Sequence, residues 1–193
     1  MLNGSHSTIA YLGLLAGWDT VDAAIAQPAL RRFVDAMLDD EVAPTVAEDL
    51  PGFDLDAYRA QLLQRFANPA LAHRCAQIAM DGSQKLPQRL LGTLRDRLAA
   101  DAPVDALALA VAAWCLHLGR TTIDDPLARA LQALHADAMA LPTARERAAA
   151  FSRFAPVFGH DLGREPRWLD ALARGLDTLQ MRGVVTTLEA HRR

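Results

Sequence analysis

The chain has 193 residues, 51% of them hydrophobic and 22% charged, with a formal net charge of −3. A chain of this length buries a sizeable core without disulfides or a structural metal. Its interspersed charges exclude the basic face of a sequence-independent nucleic-acid binder and the polybasic patch of a membrane anchor.

Alanine and leucine dominate, β-branched residues are scattered, and no segment alternates with period two. Alanine and leucine are strong helix formers, so the expected class is all-α: one multi-helix domain over residues 1–193. The N-terminus, Met1 to His6, has no basic and apolar stretch of signal-peptide type. With no apolar run long enough to span a bilayer, the expected location is the cytoplasm, with no membrane partner.

The first helix is predicted over Ser7 to Leu15, ending at Gly17, a residue suited to the left-handed C-cap. Asp19 or Thr20 caps a short helix to about Ala26. Pro28 opens a longer one to about Val42, with Leu30, Phe33, Val34, Met37 and Leu38 as its buried stripe. Asp35, Asp39, Asp40 and Glu41 fall largely on the other side, which reads as a solvated face rather than carboxylates for acid–base work. Pro44 kinks the chain or begins a turn, and Pro51-Gly52 is a turn.

Asp54 caps a helix from Leu55 to Phe66, which Asn68-Pro69 breaks. The next is predicted from Ala70 to Met80, ending at Asp81-Gly82. Ser83 restarts a helix to Ala100 with Pro87 near its first turn, where a missing N–H is tolerated. Ala102-Pro103 opens a helix from Val104 to Leu118, apolar on most sides and therefore central. Helices over Pro126 to Met139, Thr143 to Phe151 and Pro166 to Met181 follow, then a last piece from Val184 to His191.

Cys75 and Cys115 stand outside any CxxC pair and read as core residues, and no HExxH spacing supports a metal site. Trp18, Trp114 and Trp168 read as core anchors, His117 as a hydrogen-bonded core histidine, and His191 as part of a frayed tail.

Two segments carry more. In Leu2-Asn3-Gly4-Ser5-His6-Ser7, Asn3 and His6 share a face at helical spacing. An Asn-Gly turn before a helix capped by Ser5 or Ser7 explains the same residues. In Asp81-Gly82-Ser83-Gln84-Lys85-Leu86-Pro87-Gln88-Arg89, a Ser83 cap puts Lys85 in the first helical turn, against the helix dipole. An anion or electron-rich oxygen bound there removes that cost, and Arg89 lies one turn on. A solvated lysine is the other reading.

These two stretches, with Asn68-Pro69-Ala70, resemble the C-terminal domain of the mannitol dehydrogenase family of long-chain, polyol-specific dehydrogenases. The resemblance implies an oxidoreductase whose N-terminal Rossmann domain, absent from this chain, holds NAD or NADP. It implies a sugar-alcohol, ketose or uronate substrate in carbohydrate metabolism, and no metal. Asn3 and His6 match the last two members of the family's Lys-x4-Asn-x2-His signature, whose lysine falls before residue 1. That lysine is implied to be the general base, with Asn3 donating to the alkoxide or carbonyl oxygen and His6 orienting a substrate hydroxyl. Lys85 aligns with a family lysine that contacts substrate, and Arg89 is the second cation of the segment. Gln77 stands where some mannitol dehydrogenases have an arginine, which puts the sugar preference in doubt. The wording around Lys85 is closer to fructuronate reductases. The chain alone is expected to be inactive. The alternative is a non-catalytic helical interaction module from a truncated gene.

Overall fold

A computed structural model describes residues 1–191. The chain enters helix α1 (Leu2–Ala16) at once and leaves it through Gly17, whose φ of 81° is the left-handed cap expected of it. Thr20 caps α2 (Val21–Ile25) by accepting the Ala23 N–H, and α3 (Pro28–Ala36) buries Leu30, Phe33 and Val34. A wide π turn, Met37–Val42, runs from α3 into α4 (Ala43–Val46). Pro44 supplies the reason. Its ring clashes with the carbonyl four residues back in a regular α-helix, and widening the turn relieves the clash.

Asp54 caps α5 (Leu55–Phe66) by accepting the Ala57 N–H at 2.9 Å, and Leu62, Leu63 and Phe66 face inward. The helix predicted from Ala70 to Met80 is not continuous. A 3-10 turn, Pro69–Leu71, gives way to Ala72 with φ 45°, and α6 spans only Cys75–Ala79. The intervening residues pair with the start of α2: Val21 N–H donates to His73 O and Cys75 N–H to Asp19 O, both at 2.9 Å. These long-range bonds replace the local ones of a helix. The Thr20–Arg74 bridge they frame is the sole β-type pairing among the described residues.

Then come α7 (Gly82–Leu86), a second π turn at Pro87–Leu91, and α8 (Gly92–Ala99). Helix α9 (Asp105–His117) is the axis of the fold. All but two of its residues are buried, and it packs most extensively on α13 and α1. Next are α10 (Ala128–Met139), α11 (Ala144–Ser152) with a Thr143–Glu146 capping box, and α12 (Ala155–Phe158). After a 3-10 turn at Leu162–Arg164, α13 (Pro166–Ala190) is interrupted at Gly183, φ 72°, where the sequence predicts its gap. No helix of the described residues is long and apolar enough to cross a membrane.

Both cysteines are buried and unbridged, and Trp114 and Trp168 are fully enclosed, while Trp18 is half-buried. His191 is not frayed: its ring meets Phe33 edge-on at 4.9 Å. The acidic run is a solvated face only in part: Asp40 is exposed, but the others have partners. Arg59 of α5 holds Asp35 at 2.9 Å, together with Asp39. Glu41, only 4% exposed, accepts the Ala106 and Leu107 N–H groups at 2.8 Å each and so caps the central helix from outside it. Burial pushes its carboxyl up to about 7 despite those two bonds.

Candidate functional site

Both motifs contain a glycine at a close contact, Gly4 against backbone and Gly82 against side chains. A Cβ on Gly4 would lie 2.7 Å from the Arg89 carbonyl oxygen, so the first turn of α1 rests directly on the π turn at Pro87–Leu91. A Cβ on Gly82 would lie 2.4 Å from Trp114 Nε1 and 2.8 Å from the Tyr11 hydroxyl, which seats the start of α7 against α9 and α1. Asn3-Gly4 is thus helical rather than a turn. Ser5 caps nothing: its hydroxyl donates to the Met1 and Leu2 carbonyls at 3.0 Å.

Between these segments opens a cavity of about 650 Å³, lined among others by Asn3, Tyr58, Asp81, Lys85, Gln88 and Arg89. Lys85 Nζ lies 3.7 Å from the Asp81 carboxylate. Arg89, half-buried in the π turn, donates to the hydroxyl of Ser7, which is 1% exposed. It forms no ion pair among the described residues. His6 does not line this cavity. Its ring is half-buried between Phe66, centroids 4.9 Å apart, and His73 at 5.4 Å, and its Nε2 has no hydrogen-bond partner among the described residues. Burial first, then His73 and the Arg89 and Arg65 cations, lower the imidazole to about 4, so it is neutral at pH 7.

The helix after Asp81 is not capped by Ser83. The Asp125 carboxylate, brought in by the loop before α10, accepts the Ser83 N–H at 2.7 Å and its hydroxyl at 2.6 Å. Asp125 also takes the Leu127 N–H at 2.8 Å, and Asp81 N–H donates to Asp124 O. A carboxylate of the protein itself therefore meets the positive end of this helix. Lys85 is left pointing to the cavity, with Asp81 as its neighbour.

Gln77 lies apart from Lys85 and Arg89. It lines a second cavity of about 650 Å³ with Arg74, Met80, His117 and Arg120. His117 is buried there, but its Nδ1 has no partner, contrary to the expected hydrogen-bonded histidine. The sequence offers Ser7 only as a helix cap and gives Tyr58, Asp125 and Gln88 no part in the site. Ser7 alone carries a signal, lying one helical turn after Asn3 on the same face.

The described residues contain no group of three or more histidine, cysteine or acidic side chains able to hold a metal ion. They also contain no strand leading through a glycine-rich turn into a helix, the unit that cradles a dinucleotide pyrophosphate. The cavity offers neutral donors from Asn3 and Gln88 and cationic ones from Lys85 and Arg89. That set suits a hydroxylated, oxygen-rich small molecule.

The family described as mannitol dehydrogenase C-terminal domain matches residues 1–180. D-mannonate oxidoreductase of Escherichia coli is 38% identical over 95% of this chain, which spans 38% of that protein. Mannitol 2-dehydrogenase of Pyrenophora tritici-repentis is 32% identical over 99% of the chain, which spans 33% of it. The structure of Pseudomonas fluorescens mannitol 2-dehydrogenase, a ternary complex with NAD and D-mannitol, superposes with a TM-score of 0.89 at 32% identity. That match covers 98% of this chain and 38% of the other.

Proposed function

The chain belongs to the mannitol dehydrogenase family, as its C-terminal domain, and from that premise we propose that it forms the substrate-binding half of an NAD(P)-dependent oxidoreductase interconverting a polyol or aldonate with a ketose or ketouronate. One observation carries this reading: Asn3 lines one cavity with Lys85 and Arg89, which are distant from it in sequence.

Alcohol oxidation without a metal needs donors aimed at the oxygen that becomes a carbonyl, and a base for its proton. The Asn3 amide supplies a neutral donor for that oxygen. Lys85 and Arg89 bind substrate oxygens farther along the chain. His6, neutral at pH 7, keeps Nε2 free for a substrate hydroxyl; it borders Arg89 but reaches the cavity only if its ring turns out of the Phe66 and His73 contact. Gln77, in the second cavity, takes no part in this binding.

When bound, the nicotinamide cofactor supplies the hydride acceptor. This reading assigns it to a Rossmann domain outside these residues and assigns the base to a lysine five positions before Asn3. The chain alone is then inactive.

The test compares this chain with the complete natural protein that carries it. NAD(P)-dependent turnover of mannitol, D-mannonate or fructuronate is expected from the complete protein and not from the chain. Turnover by the chain alone contradicts the division of labour. A complete protein inactive on all three, and unaffected by Asn3→Ala in calorimetric binding of the same compounds, overturns the oxidoreductase reading.

A further inference from the structure

The cavity wall is not electrically balanced. Its side chains present two cations, Lys85 and Arg89, and one carboxylate, Asp81, which faces Lys85. Arg89 has five N–H donors and spends one on the Ser7 hydroxyl, 3.0 Å away. Its charge is felt at a distance: it helps depress the His6 imidazole and opposes the rise of the Tyr11 phenol. A half-buried guanidinium with no counter-ion is costly unless a ligand supplies one.

Its placement is also fixed. Ser7 is buried on α1 one turn after Asn3, and the Arg89 backbone is pressed against Gly4. The guanidinium is therefore tied to α1 about one helical turn, roughly 5.4 Å of axial rise, beyond the position of Asn3. That separation fits an open carbon chain whose reacting carbon lies at Asn3 and whose terminal group lies a few bonds away.

We propose that the cavity takes an open-chain sugar acid and that Arg89, held by Ser7, receives its carboxylate, which makes Arg89 the residue that sets acid over neutral polyol. The inference rests on the oxidoreductase reading above. Lys85 contributes less to the choice because Asp81 already faces it. A single uncompensated positive charge matches a monoanionic carboxylate better than a dianionic phosphate. The planar guanidinium also fits a carboxylate with two parallel hydrogen bonds. Ser7 is a positioning residue: it touches Arg89, not the ligand.

The experiment uses the complete natural protein and measures kcat/KM for D-mannonate and for D-mannitol. The wild type is expected to favour D-mannonate. Arg89→Gln is expected to lower the mannonate-to-mannitol ratio by about 10- to 100-fold, the loss of one charged hydrogen-bonding partner. Arg89→Lys recovers part of it. Ser7→Ala lowers the ratio several-fold through the KM for mannonate, with kcat kept. Equal losses on both compounds in Arg89→Gln, or a wild type that prefers mannitol, overturn the proposal. Without turnover of either compound the oxidoreductase reading fails on its own account. Calorimetry then still decides the carboxylate site: D-mannonate binding Arg89→Gln as tightly as the wild type sinks it.

Discussion

Replacing Glu41 with glutamine changes stability in a way that depends on pH. The carboxylate is 4% exposed and accepts the Ala106 and Leu107 N–H groups at the head of the central helix α9. Burial raises its folded pKa from 4.5 to about 7. Between those values the native state holds a proton that the unfolded chain releases. Stability from this group is therefore complete below pH 4.5 and falls as pH rises through 7. A shift of that size amounts to about 3 kcal/mol.

Glutamine is an isostere of the protonated acid and does not titrate. At pH 4 the variant is expected below the wild type by about 1–3 kcal/mol, because the glutamine NH2 cannot accept one of the two N–H bonds. By pH 8 the balance moves toward the variant by about 3 kcal/mol. Urea unfolding at pH 4, 5.5, 7 and 8, followed by the fluorescence of buried Trp114 and Trp168, measures the difference. Titrations shared by both proteins cancel in it. Glu41→Ala leaves two buried N–H groups without acceptors and costs about 2–6 kcal/mol at pH 4, a cost that shrinks by about 3 kcal/mol by pH 8 as the wild type loses its own advantage. A wild-type advantage over glutamine that grows with pH refutes the reasoning, because the two N–H bonds and the helix dipole would then outweigh burial.

Gly4→Ala places a Cβ 2.7 Å from the Arg89 carbonyl oxygen and is expected to cost about 1–3 kcal/mol in thermal or urea unfolding while weakening ligand binding at the cavity. Asp125→Ala removes the acceptor of the Ser83 and Leu127 N–H groups. Faster hydrogen exchange at those two amides and a loss of about 1–3 kcal/mol are expected; unchanged exchange at Ser83 argues against the clamp. His6 is expected to titrate near 4 by NMR, and Arg89→Gln to move it upward by removing a neighbouring cation. Because its folded pKa is depressed, its contribution to stability is present above about 6.5 and falls as pH drops toward 4. A His6 titration near 6.5 in the wild type would show the ring to be solvated.

Elements with local stop and start signals are legible from their residues. Asp54 and Asn68-Pro69 bracket α5, Thr143 begins α11, and Gly183 separates the last two helical pieces, because caps and backbone preferences act within a turn of where they occur. The run at 72–74 is not legible. Ala72 and the alanines on either side of the run favour helix, but the backbone here pairs with Asp19 and Val21. Asp125 and Glu41 look like ordinary surface acids until the helix ends they cap are brought to them. Both wide turns escape notice too, although Pro44 and Pro87 mark their places. In the candidate site, Asn3, Lys85 and Arg89 stand out by motif, whereas Ser7 and Asp81 gain meaning only as the partners of Arg89 and Lys85.

By itself, then, the sequence determined the all-helical class, most helix ends and, through two short motifs, the family. Those depend on interactions between residues close in the chain. The tertiary structure decided which carboxylates are buried, that Gln77 and His6 lie off the cavity that Asn3 shares with Lys85 and Arg89, and that Arg89 stands there without a counter-ion among the described residues. Burial and electrostatic balance depend on which distant segments meet. At this site Gly4 lets the first turn of α1 rest on the Arg89 backbone, and Gly82 leaves room for the Trp114 and Tyr11 side chains.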